Sequence, residues 1–338
     1  MSSGPPRRLF PDALGTHDED PYLLRRSDGV LLLAFLSDRD QPGNDDIYLT
    51  WLDGTSWVSP RRVTTHADPA WYPALAELPD AGVHLAWMRP MTSPPFYRHL
   101  YTRASADGRT WPDAGEVQAS SGVADDWAPM MLATSRGELV IYFSSQARGS
   151  LAADADMDLY AVRSATRGST WESPLLLSSI SDPIDMDVFP FVVERSPGDI
   201  AMVFVRYPHA AGTNYFAAGT ELWYAHASDA LTFTAPLPIT HDVDGGFVDS
   251  LPALYRAGGA HQLAWTTTAP DGGPRLVSLP LDQRDGYPAG VVDLTARHGM
   301  NGYSLHLAQA GGGALVVAVW AADSGAGDKR LFWQVFSP

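Results

Sequence analysis

One sequence pattern recurs six times along the 338 residues, and this repeat constrains the fold more than any other feature of the sequence. Each copy starts at a proline, or at a leucine in the last copy, and runs through two short apolar segments separated by a turn. The starting residues are Pro21, Pro73, Pro129, Pro190, Pro252 and Leu305. The second segment of each copy contains an aromatic residue 13 to 15 positions later, namely Phe35, Trp87, Phe143, Phe204, Trp265 and Trp320. Six copies in one register indicate six equivalent structural units.

Each unit contains further short runs with the composition of β-strands. The third run is DIYLTW at residues 46–51 and DLYAVR at 158–163, and a fourth is SPRRVT at 59–64. Such runs, rich in Val, Leu, Tyr, Phe and Trp and separated by Gly, Asp, Ser and Pro turns, predict strands. Four strands in each unit of about 40 to 60 residues are typical of a propeller blade. The sequence therefore predicts an all-β fold, a six-bladed β-propeller with four antiparallel strands per blade.

The six units fill the chain, so we expect a single domain over residues 1–338. The predicted blades cover residues 16–65, 66–119, 120–179, 180–239, 240–295 and 296–338. The last unit lacks a fourth strand, whereas PPRRLF at residues 5–10 resembles the fourth strand of the first unit. We therefore expect this N-terminal strand, residues 5–10, to close the last blade. Closure of the ring would remove its open edges.

The charge balance and the residue types exclude several classes of partner. Lys and Arg number 23 against 39 Asp and Glu, so the net charge is −16. Such a surface repels phosphate backbones and anionic lipid heads, and we expect no nucleic-acid or membrane partner. There is no cysteine, and hence no disulfide or thiol nucleophile. Residues 1–17 do not resemble a signal peptide; we expect a cytoplasmic protein if this N-terminus is native, and a secreted one if a signal peptide was removed.

Segments between the predicted third and fourth strands share a second pattern. They are SADGRTW at 105–111 and SATRGSTW at 164–171, with weaker forms ASDALTF at 227–233 and TWLDGTSW at 50–57. At blade spacing over the whole chain, they resemble the Asp box, S-x-D-x-G-x-T-W, of the sialidase superfamily of propellers. In such a turn the Asp accepts backbone N–H groups, the Gly takes positive φ and the Trp fills the space beside the sheet. We therefore expect Asp107 to be structural.

Aspartates recur three positions before the starting residue of four units. They are Asp18, Asp126, Asp187 and Asp249. Equivalent positions in related blades lie at similar depth around the axis, so we predict that these carboxylates converge with Tyr303 as a catalytic group at the channel mouth. Crowded carboxylates cannot all ionise cheaply, and one would hold a raised pKa suited to a general acid. The alternative is that each Asp caps a turn of its own blade.

Four histidines upstream of the starting residues are candidate metal ligands. They are His17, His66, His241 and His298. Gathered at the axis, they could hold a divalent cation, the one cofactor that the sequence suggests. Their offsets from the starting residues are 4, 7, 11 and 7, so separate surface histidines are the alternative. Trp71 and Trp127 lie near the same level and could either stack on a sugar or pack between blades.

The resemblance to sialidases implies further site residues. That family clamps a substrate carboxylate with three arginines; Arg206 and Arg275 resemble the second and third, but the first position, two residues before the proline of blade 1, is Glu19. Arg39 and Arg89 occupy the same place in their blades as Arg206, so all four arginines are candidate substrate-binding residues.

The catalytic residues of sialidases find partial counterparts. Tyr303, followed by Ser304, resembles the family's nucleophile segment, whereas its Glu partner is replaced near the start of blade 4 by Asp187. The family's general acid would fall on one of three aspartates, Asp40, Asp45 or Asp46. With the anchor arginine and the Glu lost and with an acidic mouth, authentic sialidase activity is not expected.

Three functions remain open. The first is an enzyme acting on a glycan or related polyol at the channel mouth, by glycoside hydrolysis with paired carboxylates. The second is a non-catalytic, lectin-like propeller that binds carbohydrate. The third is a metal-dependent propeller enzyme built on the histidines and aspartates. All three imply a small-molecule or glycan ligand as the partner.

Overall fold

The computed structural model describes residues 4–10, 16–91, 97–121, 124–147, 157–181, 185–207, 219–240, 248–268, 273–286, 289–300, 302–310, 315–323 and 329–337. Their strands form six antiparallel sheets, and the first strand of each sheet contacts the first strand of the next. These contacts run from blade 1 through blade 6 and back to blade 1, so the sheets surround an axis. The predicted six-bladed β-propeller is confirmed.

The strands follow the four-run pattern of the repeat. Blade 1 contains β2 (Asp18–Arg25), β3 (Leu31–Ser37), β4 (Asp46–Asp53), β5 (Ser56–Trp57) and β6 (Arg61–Arg62). Blade 2 contains β7 (Trp71–Glu77), β8 (Val83–Pro90), β9 (Arg98–Ser105) and β10 (Val117–Gln118). Blade 3 contains β11 (Asp126–Ala133), β12 (Leu139–Ser145), β13 (Asp158–Ser164) and β14 (Leu175–Leu176).

The second half of the ring repeats this order. Blade 4 contains β15 (Met186–Ser196), β16 (Asp199–Tyr207), β17 (Glu221–Ala227) and β18 (Leu237–Pro238). Blade 5 contains β19 (Val248–Ala257), β20 (Ala260–Thr268), β21 (Pro274–Pro280) and β22 (Val292–Asp293), with a 3₁₀ helix (Leu281–Gly286) and helix α1 (Leu294–His298). Blade 6 contains β23 (Tyr303–Ala310), β24 (Leu315–Asp323), β25 (Lys329–Phe336) and the N-terminal β1 (Arg7–Arg8). Among the described residues, no helix is long and apolar enough to cross a membrane.

The N-terminal strand closes the ring as the sequence predicts. Strand β1 pairs antiparallel with β25, with Arg7 opposite Trp333. The backbone N–H of Leu9 donates to the carbonyl of Leu331 at 2.9 Å, and the Leu9 side chain is buried in a cluster shared by blades 6 and 1. Phe10 stacks on Phe35 of blade 1 with ring centroids 5.2 Å apart. The chain start therefore completes one blade and joins it to the next.

The aromatic residues of the repeat form the core of the blades. Each lies on the second strand of its blade, where both faces of the sheet are covered by neighbouring blades. All six are at most 1% exposed, namely Phe35, Trp87, Phe143, Phe204, Trp265 and Trp320. Side chains of this size bury the most apolar surface per residue, which explains their recurrence in the sequence.

The Asp box of blade 2 is a turn held by one carboxylate. Oδ1 of Asp107 accepts the backbone N–H groups of Arg109 at 2.8 Å and Thr110 at 2.7 Å. These hydrogen bonds hold the pKa of the Asp107 carboxyl at about 2, although its partial burial acts in the opposite direction. Gly108 has φ +68°, and a Cβ there would lie 2.6 Å from Cδ1 of Leu32. In blade 3, Oγ1 of Thr166 replaces the carboxylate and accepts the Thr170 N–H at 2.9 Å.

Replacing Asp107 by Ala should therefore destabilise the fold by about 1–2 kcal/mol near pH 7, because two backbone donors lose their acceptor. The loss should shrink as the pH falls below about 4 towards 2, since the wild-type carboxylate then takes up a proton and loses the same bonds. Denaturant titrations across this pH range measure the difference. A difference that does not change with pH would show that the charge of Asp107 is not what holds the turn.

Candidate functional site

Every inner strand carries a β-bulge at the same place. In each blade the regular pairing of the inner strand skips two residues, the starting residue and the residue just before it. In blade 1, for example, the register shifts between Glu19 and Tyr22. The residue just before the starting residue has positive φ in all six blades, with values of 48–53°. A residue before proline normally prefers an extended backbone, so the bulges impose strain, which is concentrated in proteins at functional sites. The affected residues are Asp20, Tyr72, Ala128, Phe189, Leu251 and Ser304.

Side chains from four blades meet at the end of the axis where the inner strands begin. We call this group the mouth cluster; it consists of Glu19, Asp45, Trp71, Trp127 and Tyr303. Four of its members occupy the position two residues before the starting residue of blades 1, 2, 3 and 6. The fifth, Asp45, precedes strand β4 of blade 1. The contacts below join Glu19 with Tyr303 and Asp45 with Trp71 and Trp127, and the charge of Glu19 acts on Asp45.

The acidic side of the mouth cluster comes from blade 1 and is neutralised by blade 6. The Lys329 ammonium donates to Oε2 of Glu19 and lies 5.2 Å from the centre of the Tyr303 ring. Nε2 of His17 is 2.9 Å from the other oxygen of Glu19. Burial raises the pKa of Tyr303 to about 12, so this phenol keeps its proton near neutral pH. Lys329 is the only lysine in the chain.

The aromatic side of the mouth cluster comes from blades 2 and 3. The guanidinium of Arg98 lies 4.1 Å from the ring centre of Trp127 and 6.0 Å from that of Trp71. Asp125 holds this arrangement, because it accepts an Nη1–H of the Arg98 guanidinium at 2.5 Å, the backbone N–H of Arg98 at 2.9 Å and the Trp127 Nε1–H at 3.0 Å. Two half-buried indoles thus stand side by side, each with one edge fixed by a carboxylate.

Asp45 links the two sides. Its Oδ2 accepts the Nε1–H of Trp71 at 3.2 Å. Burial raises the pKa of the Asp45 carboxyl above its ordinary value, and the charge of Glu19 acts in the same direction. A carboxyl whose raised pKa responds to the charge of a second, ion-paired carboxylate has a property that a general acid needs.

A second carboxyl with a shifted pKa lies next to Glu19. Asp20 is half-buried, and desolvation of its carboxyl, together with the charge of Glu19, raises its pKa to about 7. The only side-chain hydrogen bond described for it comes from the Ser304 hydroxyl at 3.4 Å.

The raised pKa of Asp20 gives a stability prediction. The unfolded chain releases this proton near pH 3.8, whereas the folded protein keeps it up to about pH 7, so wild-type stability falls as the pH rises through that window. Replacing Asp20 by Asn should raise the free energy of unfolding at pH 8.5 by on the order of 3 kcal/mol and leave it nearly unchanged at pH 4. Denaturant midpoints at the two pH values measure this. An Asn variant that is less stable at pH 8.5 would contradict a buried, strained carboxyl.

The four aspartates of the repeat lie at one level, but they do not line the axial cavity. They are 0–3% exposed, and each pairs with side chains of its own blade or the loop beside it. Asp126 accepts from Ser145 at 2.6 Å and Asp187 binds Arg206 through both oxygens. Asp18 and Asp249 are held similarly, by Arg39 and Ser37 and by the Trp265 indole. This geometry matches the alternative in which each Asp ties its own blade. The axial cavity is lined instead by the starting residue of each blade and the residue just before it.

Three of the four predicted substrate-binding arginines are also used within their blades. Arg39 binds Asp18 at 2.7 Å, and Arg206 binds Asp187 at 2.7 Å. Arg89 binds Glu116 at 2.8 Å and stacks on an aromatic ring of its own blade. Arg275 is exposed at the start of β21. The described contacts therefore do not bring these arginines together as a clamp.

The predicted metal-ligating histidines do not come together either. His17 lies at the mouth beside Glu19, His66 binds Glu116 at 2.9 Å, and His298 packs on Phe336 with ring centroids 4.6 Å apart. His241 lies outside the described residues. Within the described part of the chain, no group of three or more His, Asp or Glu side chains could hold a metal ion. The divalent cation stays a prediction without a described set of ligands.

The mouth cluster includes some of the residues that the sequence predicts for a site and omits others. Trp71, Trp127 and Tyr303 belong to it, and of the three acid candidates Asp45 is the one that contacts Trp71. Asp46 instead bonds Thr64 at 2.8 Å inside its blade, and Asp40 is exposed. The missed residues are Asp20, Arg98, Asp125 and Lys329. For Lys329 a signal existed, since a lone lysine in a chain with 22 arginines is unusual, with 23 Lys and Arg in all.

Comparison with solved structures agrees with this architecture. An α-L-arabinanase from Penicillium chrysogenum, complexed with arabinobiose, superposes with a TM-score of 0.74 at 18% identity, covering 100% of this chain and 99% of that one. A protein of unknown function from Dyadobacter fermentans gives 0.73 at 15% identity, covering 99% and 98%. A sialidase from Streptococcus pneumoniae gives 0.66 at 10% identity, covering 98% and 70%.

The chain has the sialidase-like propeller fold. The resemblance seen in the Asp boxes is thus confirmed at the level of the fold, with wide sequence divergence. No protein-family model matches this sialidase-like propeller, and no curated protein sequence matches it either. Its site must therefore be interpreted from its own residues.

Proposed function

We propose that this propeller hydrolyses an uncharged glycoside at the mouth cluster, with Asp45 as the general acid and Glu19 as the partner carboxylate. The observation that carries the proposal is the Asp45–Trp71 contact, which places a carboxyl of raised pKa at the edge of an aromatic platform, where the charge of Glu19 also acts on it. An aromatic ring binds the apolar face of a sugar, and the two carboxylates supply the acid and the base or nucleophile of glycoside hydrolysis.

The charge of the mouth supports an uncharged substrate. Glu19 occupies the position where sialidases place a carboxylate-binding arginine, and it is already paired with Lys329 and His17. Because the cations on this side of the mouth, Lys329 and His17, are already paired with Glu19, a substrate carboxylate would have to compete with Glu19 for them. The comparisons agree with this choice. The superposition on the arabinanase covers nearly the whole of both chains, whereas the superposition on the sialidase covers only 70% of the sialidase chain.

Within the proposal, each residue has one task. Trp71 and Trp127 hold the sugar ring; Asp45, protonated, donates to the departing glycosidic oxygen. Glu19 acts on the anomeric carbon, either directly or through a water. Tyr303, protonated near neutral pH, is a hydrogen-bond donor to the sugar and not the nucleophile.

A lectin-like propeller is the second candidate, because the Arg98–Trp127 stack is a rigid platform that needs no catalysis. A substrate panel separates the two: α-L-arabinofuranosides and other neutral aryl glycosides against an aryl sialoside. We expect turnover of at least one neutral glycoside, none of the sialoside, and loss of turnover in Glu19→Gln. Saturable binding of neutral glycans without turnover would favour the lectin, and cleavage of the sialoside would contradict the proposal.

A further inference from the structure

Arg98 is the first residue of strand β9 in blade 2, and its guanidinium lies close to both indoles of the mouth cluster. Its Cζ is 4.1 Å from the ring centre of Trp127 and 6.0 Å from that of Trp71. Burial raises the pKa of Tyr72, a residue of the axial cavity wall, and the charge of the nearby Arg98 acts in the opposite direction. A sugar that covers both indoles therefore meets this guanidinium.

One edge of the Arg98 guanidinium is used within the protein and the other is free. Nη1 donates to Asp125 at 2.5 Å, and Nε is buried. Nη2 has no hydrogen-bond partner among the described residues and, unlike Nε, is not buried; the side chain as a whole is 28% exposed. Nη2 therefore offers two N–H donors at the surface of the mouth.

Asp125 fixes the direction of this free edge. The same carboxylate accepts the backbone N–H of Arg98 at 2.9 Å and the Nε1–H of Trp127 at 3.0 Å. Because the planar guanidinium is held at Nη1 and stacked on the indole, it cannot turn away from the mouth. A donor that is already held in place loses little conformational entropy when a ligand accepts from it.

The ion pair determines which acceptor the free edge favours. Asp125 neutralises the charge of Arg98, so a ligand carboxylate would have to compete with Asp125 for the guanidinium. A sugar hydroxyl oxygen accepts an N–H without bringing a charge into the mouth. The free edge therefore suits a hydroxyl of an uncharged ligand.

Arg98 differs in this respect from two arginines that occupy equivalent places in other blades. Nε and Nη2 of Arg206 both bind Asp187, and the same two nitrogens of Arg39 bind Ser37 and Asp18. The guanidinium edge that stays free in Arg98 is thus used up within the blade in these two residues. Arg98 is not among the arginines that the resemblance to sialidases implies.

We propose that Arg98 is a specificity-determining residue of the mouth cluster, and that its Nη2–H edge donates to one hydroxyl of the sugar bound against Trp71 and Trp127. The bound sugar shields Nη2 from water, so an analogue that lacks this hydroxyl leaves the donor unpaired and is rejected. For its class of ligand this inference rests on the proposed function, but it concerns binding and requires no turnover.

The test measures the binding of methyl α-L-arabinofuranoside and its 2-, 3- and 5-deoxy analogues to the Asp45→Asn protein by isothermal titration calorimetry. One of the three analogues should bind about tenfold or more weakly than the parent glycoside. With Arg98→Met added, the parent should bind as weakly as that analogue, and removal of the same hydroxyl should have no further effect. The proposal is overturned if all three analogues bind like the parent, if the preference survives Arg98→Met, or if none of the four glycosides binds.

Arg284→Met is the matched control. Arg284 stacks on Tyr224 at the same distance, 4.1 Å, and its Nε is also buried, but it lies in the 3₁₀ helix of blade 5 and not in the mouth cluster. This variant should leave the preference between parent and analogue unchanged. If Arg98→Met does not fold, Arg98→Lys takes its place, since its single ammonium pairs with Asp125 and leaves no free edge, so the preference should again be lost.

The inference and the proposed function fail in different ways. Hydrolysis of neutral glycosides without a preference that depends on Arg98 would remove the inference only. A preference that depends on Arg98, without hydrolysis of any neutral glycoside by the wild-type protein, would remove the proposed function only.

Discussion

Replacing Asp45 by Asn is expected to lower kcat about 10³-fold for neutral glycosides with poor leaving groups, because the variant cannot protonate the departing oxygen. With an activated aryl leaving group, which departs without a proton, the loss should be far smaller. The kcat of the wild-type protein should fall at high pH as Asp45 ionises, and the variant should lack that fall. Steady-state kinetics with both substrate types across pH measure all three effects.

The neighbouring aspartate supplies the control. Asp46 bonds Thr64 and Arg62 inside blade 1 and does not contact the other members of the mouth cluster among the described contacts. Asp46→Asn should lower the stability of the fold and leave unchanged the ratio of the kcat values for the two substrate types. Asp45 is not the acid if its Asn variant loses kcat equally for both substrate types. The same conclusion follows if Asp46→Asn changes the ratio of the two kcat values as Asp45→Asn does.

Removal of residues 1–10 is expected to destabilise the protein by about 3–5 kcal/mol, because Leu9 leaves the cluster between blades 6 and 1 and β25 becomes an open edge. Denaturant unfolding of the shortened chain measures the loss. Leu9→Ala in the full chain should show part of it, about 2–3 kcal/mol, since the backbone pairing remains.

A peptide of residues 1–12 added to the shortened chain provides a further control. It should restore part of the stability in a concentration-dependent manner, as expected for a missing strand that binds only the folded state. An unfolding midpoint that is unchanged by the deletion would mean that β1 does not hold the ring closed.

The architecture could be predicted because the repeat contains the physical cause of the fold. Residues such as Trp87 and Trp265 recur 13 to 15 positions after the starting residue of each unit, and a large buried aromatic in each sheet is what packs one blade against the next. The closing strand could also be predicted, since residues 5–10 carry the composition of a fourth strand where one is missing.

The orientation of the acids could not be predicted in the same way. An alternating strand would have pointed Asp18 or Asp126 at the axis. Each inner strand instead contains a bulge, with a positive-φ residue before its starting residue. In five blades that starting residue is proline, whose usual preference for an extended preceding residue gives no reason to expect the bulge. The partners Lys329 and Arg98 come from strands remote in sequence from Glu19 and Trp127. Their role depends on ring closure and blade contact, which no local pattern contains.

The most direct test of the mouth cluster as a glycan site is a crystal structure of the Asp45→Asn protein with a neutral arabino-oligosaccharide. We predict a sugar ring on the Trp71–Trp127 platform, with a glycosidic oxygen within hydrogen-bond distance of residue 45 and the anomeric carbon facing Glu19. A sugar bound elsewhere on the ring, with the mouth cluster unoccupied at saturating ligand, would contradict the account.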